Sequence, residues 1–107
     1  MDEWHEITDV DLATAEFPMA TEVDGEAVVI FKAGNGYRGV QRNCPHQDAD
    51  FLDKGKVVAN GAVLRCMLHG YVFKLATGKG AGNSRATVVV YDVDTDGGTL
   101  KLKRVAV

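Results

Sequence analysis

Apolar and polar positions alternate in short runs along this chain, and no stretch sustains a helical period. Phe17 to Val23 meets Asp24-Gly25, a two-residue hairpin signal, and resumes in the apolar run Ala27-Val28-Val29-Ile30-Phe31. Gly34-Asn35-Gly36 makes a second turn, after which Tyr37 to Gln41 reads as a third strand leading into Asn43-Cys44-Pro45-His46. Ala62 to Arg65 is a short strand running into Cys66, and Tyr71 to Leu75 is another, closed by Thr77-Gly78. Ala86 to Val93 is β-branched and apolar, Asp94 to Gly98 is a turn, and Thr99 to Val107 alternates apolar with charged residues. The one helical hint is a single turn near Asp9 to Ala13. Short strands at this spacing predict an all-β sandwich or barrel. Trp4, Phe17, Phe31, Tyr37 and Tyr91 fall within or beside apolar segments and are expected in the core.

At 107 residues the chain has room for one modest core, so residues 1–107 are read as one domain. Its 46% hydrophobic and 25% charged residues are ordinary globular usage, and no repeat or low-complexity linker interrupts it. Twelve Lys and Arg against fifteen Asp and Glu give a net charge of -3 with no basic cluster, which argues against nucleic acid as a partner. A mildly acidic surface would steer a basic protein partner. The acidic opening Met1 to Glu6 contains no apolar run, so neither a signal peptide nor a membrane anchor is expected and the cytoplasm is the expected compartment.

The chemistry concentrates in two pairs, Cys44-Pro45-His46 and Cys66-Met67-Leu68-His69, separated by the nineteen residues from Gln47 to Arg65. Spacings of one and two residues let both side chains of a tight loop converge on one small inorganic centre. Each cysteine has a histidine just after it, which reads as metal ligation before a disulfide. Thiolate and imidazole suit iron, zinc or copper, and the pattern alone does not choose among them. A structural zinc site is the plainer alternative.

Cys-x-His followed by Cys-x-x-His-Gly-Tyr-x-Phe resembles the Rieske 2Fe-2S signature, and the likeness continues through Gly70-Tyr71-Val72-Phe73 and Thr77-Gly78. The gap between the halves is a few residues longer than usual, a small loop insertion. The resemblance implies a Rieske fold: a β base from the first 40 or so and last 25 or so residues, with a cluster-binding subdomain inserted at about 43–82. It implies one 2Fe-2S cluster per chain, with Cys44 and Cys66 on the inner iron and His46 and His69 on the outer one. The exposed edges of His46 and His69 would form the electron exit, with Gln47, Gly70 and Met67 around them touching partners.

Respiratory Rieske proteins carry an extra cysteine in each loop and hydroxyls that hydrogen-bond the sulfurs, where this chain aligns Ala49, Leu68, Tyr71 and Phe73. Fewer donors to sulfur place the expected potential low, roughly -150 mV. The resemblance therefore implies a carrier, not an enzyme, taking single electrons from an NAD(P)H-dependent flavoprotein ferredoxin reductase and delivering them to a terminal oxygenase of the aromatic dioxygenase type. A Rieske-like small subunit of an assimilatory nitrite reductase is an alternative. So is a ferredoxin of a diiron monooxygenase, some of which share Cys-Pro-His-Gln at Cys44 to Gln47 but tend to have Trp where this chain has Tyr71. The third loop, Gly80 to Arg85, lacks the proline such proteins often place there.

The remaining candidates read as ordinary. Asp48, Asp50, Asp53 and Asp92, Asp94, Asp96 lack the EF-hand pattern and are expected in solvated turns. Gly78, Gly80 and Gly82 match neither the P-loop nor the dinucleotide fingerprint, so no direct NAD(P)H binding is expected. His5 is expected as a surface residue.

Overall fold

A computed structural model describes residues 4–8, 10–45, 49–68, 70–81 and 86–105. Two antiparallel sheets account for the architecture, confirming the all-β expectation. The larger sheet has the order β1-β10-β9-β4-β3-β2, from β1 (His5–Ile7), β2 (Met19–Val23), β3 (Glu26–Ala33), β4 (Gly36–Gln41), β9 (Val90–Asp94) and β10 (Leu100–Arg104). It curls until its edges β1 and β2 face each other across a groove lined by Ile7, Val10, Met19 and Thr21, among others. At one end of that seam His5 Nε2 stands 3.4 Å from Asp24 Oδ2. The β2–β3 turn has Asp24 at φ +51° and Gly25 at φ +81°, the geometry that matches strand twist in a two-residue hairpin.

The smaller sheet, β5-β6-β7-β8, is built from the chain between β4 and β9: β5 (Gly55–Val58), β6 (Val63–Cys66), β7 (Val72–Lys74) and β8 (Gly80–Ala81). A single helical turn, α1 (Phe51–Lys54), precedes it. This unit packs on the outside of the curled sheet, which explains why Val28 to Phe31 reads as a continuous apolar run. Val28 and Ile30 face the interior with Val23, Tyr91, Leu100 and Leu102, while Val29 and Phe31 face out onto Phe51, Leu64 and Phe73. A strand covered on both faces loses the apolar-polar alternation.

One side-chain tie and one backbone tie help to join the units. Arg38 on β4 donates from Nε and Nη2 to the Leu75 carbonyl at 3.1 and 2.8 Å, and pairs through Nη1 with Asp92 on β9. Gly78 accepts from Val88 N at 2.8 Å, and at φ +82° a Cβ there would sit 1.9 Å from the Val88 oxygen. Only glycine tolerates both the left-handed conformation and that approach. These ties also explain why the strand expected over Ala86–Val93 begins only at Val90: Thr87 bridges Lys79 and Val88 bonds Gly78, so the segment serves the junction.

Other expectations change. The turn near Asp9 to Ala13 lies at Asp11, whose carbonyl accepts from Thr14 and Ala15 and whose carboxylate accepts from Ala13 N at 3.0 Å; Asp9 lies outside the described residues. Trp4 is 46% exposed, with Lys103 Nζ 5.8 Å from its ring centroid, so it is not a core residue. Phe31 and Tyr91 are buried, and the tilted rings of Phe17 and Tyr37 lie 4.7 Å apart between centroids in partly buried positions. His5 is half-buried in β1, and Asp50 is no solvated turn residue, as the site shows.

Candidate metal centre

Two loops meet at the end of the smaller sheet. The first leaves β4 through Arg42 and Asn43 and returns at Asp50, where Asn43 and Asp50 form an antiparallel bridge. Cys44 N donates to the Ala49 carbonyl at 2.8 Å and Phe51 N to the Arg42 carbonyl at 2.7 Å, so the loop closes on itself. Its neck is clamped by side chains: Arg42 donates from Nε and Nη2 to the two Asp50 oxygens at 3.1 and 3.0 Å. Asp50 also caps α1 by accepting from Leu52 N at 2.9 Å. The hydrogen bond from Arg42 holds the Asp50 carboxyl below its ordinary 3.8, and the same bond raises Arg42. This clamp was missed in the sequence, although an Asp directly before Phe51-Leu52 with another Asp three residues on is an N-cap signal.

The second loop follows β6. Cys66 N donates to the Tyr71 carbonyl at 2.7 Å, Gly70 N to the Cys66 carbonyl at 2.8 Å, and Met67 N to the Lys54 carbonyl at 2.7 Å. Gly70 closes the loop at φ +74°. Beside it, Gly55 pairs with Cys66 across β5 and β6, and a Cβ at Gly55 would stand 2.7 Å from the Phe51 carbonyl oxygen and 3.0 Å from Phe31 Cζ. The loop thus seats close against the helical turn.

Cys44 and Cys66 are each 1% exposed and belong to one buried cluster with Ala49, Phe51, Leu64 and Phe73. They are not joined in a disulfide. Two buried thiols delivered by separate loops into one apolar cluster fit a centre that takes soft thiolate donors and must be kept from water. His46, Gln47 and His69 lie outside the described residues, as do residues 82–85 of the third loop; among the described residues no three His, Cys, Asp or Glu side chains gather as a metal site. Chain connectivity alone places His46 two residues beyond Cys44 and His69 between Leu68 and Gly70. Met67 and Leu68, between the second cysteine and histidine, are 51% and 48% exposed, so the second loop turns its apolar side chains outward.

Among the described residues no helix is long and apolar enough to cross a membrane. Comparison with solved structures finds the same fold in the ferredoxin of carbazole 1,9a-dioxygenase from Nocardioides aromaticivorans IC177, at 27% identity and TM-score 0.74, covering 92% of this chain and 96% of that one. A protein assigned as the small subunit of an NADH-dependent nitrite reductase from Mycobacterium tuberculosis aligns at 22% identity and TM-score 0.76, covering 100% and 99%. The complex of reduced oxygenase and oxidized ferredoxin in carbazole 1,9a-dioxygenase aligns at 18% identity and TM-score 0.70, covering 94% and 92%. No curated relative matches. Residues 3–93 match the Rieske [2Fe-2S] domain, and with that match spanning most of its length the chain belongs to this family, whose cofactor is a 2Fe-2S cluster.

Proposed function

We propose that this chain is a one-electron carrier, receiving electrons from an NAD(P)H-dependent flavoprotein reductase and passing them to a terminal oxygenase of the aromatic dioxygenase type, in the cytoplasm. The observation that carries this reading is end-to-end correspondence with a dioxygenase ferredoxin, 92% of one chain against 96% of the other, with the two cysteines buried together at one end. The inserted segment of about 43–82 is read as the cluster-binding subdomain, with Cys44 and Cys66 holding the inner iron and His46 and His69 the outer one. The cluster supplies a site that gains and loses a single electron at a potential between roughly -150 and +300 mV, set by its surroundings.

The chain's own residues do the rest. The Arg42–Asp50 clamp and the Gly70 turn fix where the two thiols sit. Phe51, Leu64 and Phe73 exclude water behind them. The thiols are buried and the second loop's apolar tip is exposed, which supports an electron exit at the loop tip, and outer-sphere transfer needs no bond to form with the partner.

A permanent small subunit of a nitrite reductase is the second reading, favoured by the nearly complete coverage of both chains in that comparison. Mixing the purified protein with NADH and the flavoprotein reductase of a carbazole dioxygenase system separates the two. The carrier reading expects catalytic bleaching of the visible absorption and reoxidation by the oxygenase; a protein that no such reductase reduces, and that purifies only with a large flavoprotein subunit, contradicts it.

A further inference from the structure

The outer face of the smaller sheet has a composition that its own fold does not explain. Pairing sets Lys56 opposite Arg65, Arg65 opposite Val72, and Val63 opposite both Val58 and Lys74. Because side chains alternate across a sheet, Leu64 and Phe73 fill the core while Lys56, Arg65 and Lys74 share the outer face with valines. The three cations are exposed, and among the described residues none lies within ion-pair distance of a carboxylate. Like charges directly opposite destabilise a strand pair, so Lys56 and Arg65 weaken the sheet they sit on unless an anionic surface covers them. The face is continuous with the ligand loop: a Cβ on Gly70 would lie 3.5 Å from Arg65 Nη2, and Met67 and Leu68 project at the same end.

The charge of the whole chain conceals this. Residues 43–82 carry five Lys or Arg against three Asp, a net of +2, whereas the remaining residues carry seven against twelve, a net of -5. A partner approaching within the Debye length, about 8 Å at physiological salt, responds to the nearest charges rather than to the total. An apolar centre with a charged rim is ordinary interface anatomy, and such a rim sets register and on-rate more than affinity.

We propose that the outer face of β5, β6 and β7, with Met67 and Leu68 at its loop end, docks an electron-transfer partner protein whose contact surface is acidic, the reverse of the basic partner that the net charge implies. The partner's role in electron transfer rests on the carrier reading above; the acidic character of its surface does not.

The test uses the cluster-containing protein and two inorganic probes, ferricyanide, a trianion, and tris(phenanthroline)cobalt(III), a trication. Each takes one electron from the dithionite-reduced protein, becoming ferrocyanide or the cobalt(II) complex, and no bond to the protein forms or breaks. As salt rises from about 0.02 to about 0.5 M, the ferricyanide rate falls about tenfold, the cobalt rate does not fall, and K56E/R65E reverses the ferricyanide trend. A ferricyanide rate that climbs with salt, as a net charge of -3 demands, overturns the proposal. Independently of redox chemistry, the wild type binds a carboxylate cation-exchange resin at pH 7.5 and low salt while K56E/R65E flows through; K56Q/R65Q serves if the charge reversal does not fold. Flow-through of the wild type also overturns the proposal. Low-salt dimerisation seen by sedimentation, abolished in K56E/R65E, assigns the face to the acidic base of a second copy and overturns it too. A protein that binds the resin but shows no reducible cluster keeps the acidic-partner face and refutes the carrier reading.

Discussion

Replacing Gly78 with Ala should loosen the smaller-sheet unit from the curled sheet, and the size of the effect can be worked from two neighbouring facts. Gly78 sits at φ +82°, where an L side chain costs about 1–2 kcal/mol. A Cβ there would also lie 1.9 Å from the Val88 carbonyl oxygen, while Val88 N is hydrogen-bonded to the Gly78 carbonyl at 2.8 Å, so the two backbones cannot part without losing that bond. Overpacking of this kind adds about 1–3 kcal/mol, for a total of about 2–5 kcal/mol. Gly25 is the control: its φ of +81° is almost the same, but a Cβ there meets nothing within 4 Å, so Gly25→Ala carries the conformational cost alone. The alanine's effect on the unfolded chain is common to both and cancels in the comparison. Denaturant midpoints followed by far-ultraviolet circular dichroism and by cluster absorbance should show Gly78→Ala well below Gly25→Ala, with cluster absorbance lost first. Equal losses in the two variants would refute the claim that close approach of Gly78 to Val88 ties the units together.

Arg38→Met should cost about 1–3 kcal/mol in the same unfolding assay, because the carbonyl of buried Leu75 loses both guanidinium donors; an unchanged midpoint would mean solvent replaces them. Asp50→Asn keeps an N-cap but removes the charge facing Arg42, so it should be less stable than wild type at neutral pH. Because the Asp50 carboxyl is held below its ordinary 3.8 in the folded protein, its contribution is present above that value and disappears as pH falls through the folded one. The gap between wild type and Asp50→Asn should therefore close below about pH 3.8, and a gap that persists in acid would assign the effect to the cap. Cys44→Ser and Cys66→Ser should each abolish the visible cluster absorption; iron content retained at the wild-type level in either would remove that residue from the ligand set.

How much of this was legible in the residues follows a physical pattern. Strands bounded by turns with unmistakable chemistry, such as Asp24-Gly25 and Gly34-Asn35-Gly36, were read within a residue or two. The all-β class followed from them. What escaped were elements that exist through tertiary contact: β1 and β8 are three and two residues long, and β5 begins at a glycine placed by Phe51 and Phe31 rather than by β propensity. Trp4 looked like core because aromatics usually are, but it lies just ahead of β1, largely exposed with Lys103 over its ring. At the site, Cys44 and Cys66 stood out because both cysteines are followed closely by histidine. Asp50 did not, since its partner Arg42 lies eight residues away and pairs only once the loop closes. The basic face was equally invisible, because Lys56, Arg65 and Lys74 are scattered in sequence and gather only through strand register.

The most direct test of the account is the low-temperature EPR spectrum of the dithionite-reduced protein. Mixed cysteine and histidine ligation predicts a rhombic signal whose average g value lies well below that of an all-cysteine 2Fe-2S cluster; an all-cysteine-type signal, or silence together with zinc in metal analysis, would contradict it.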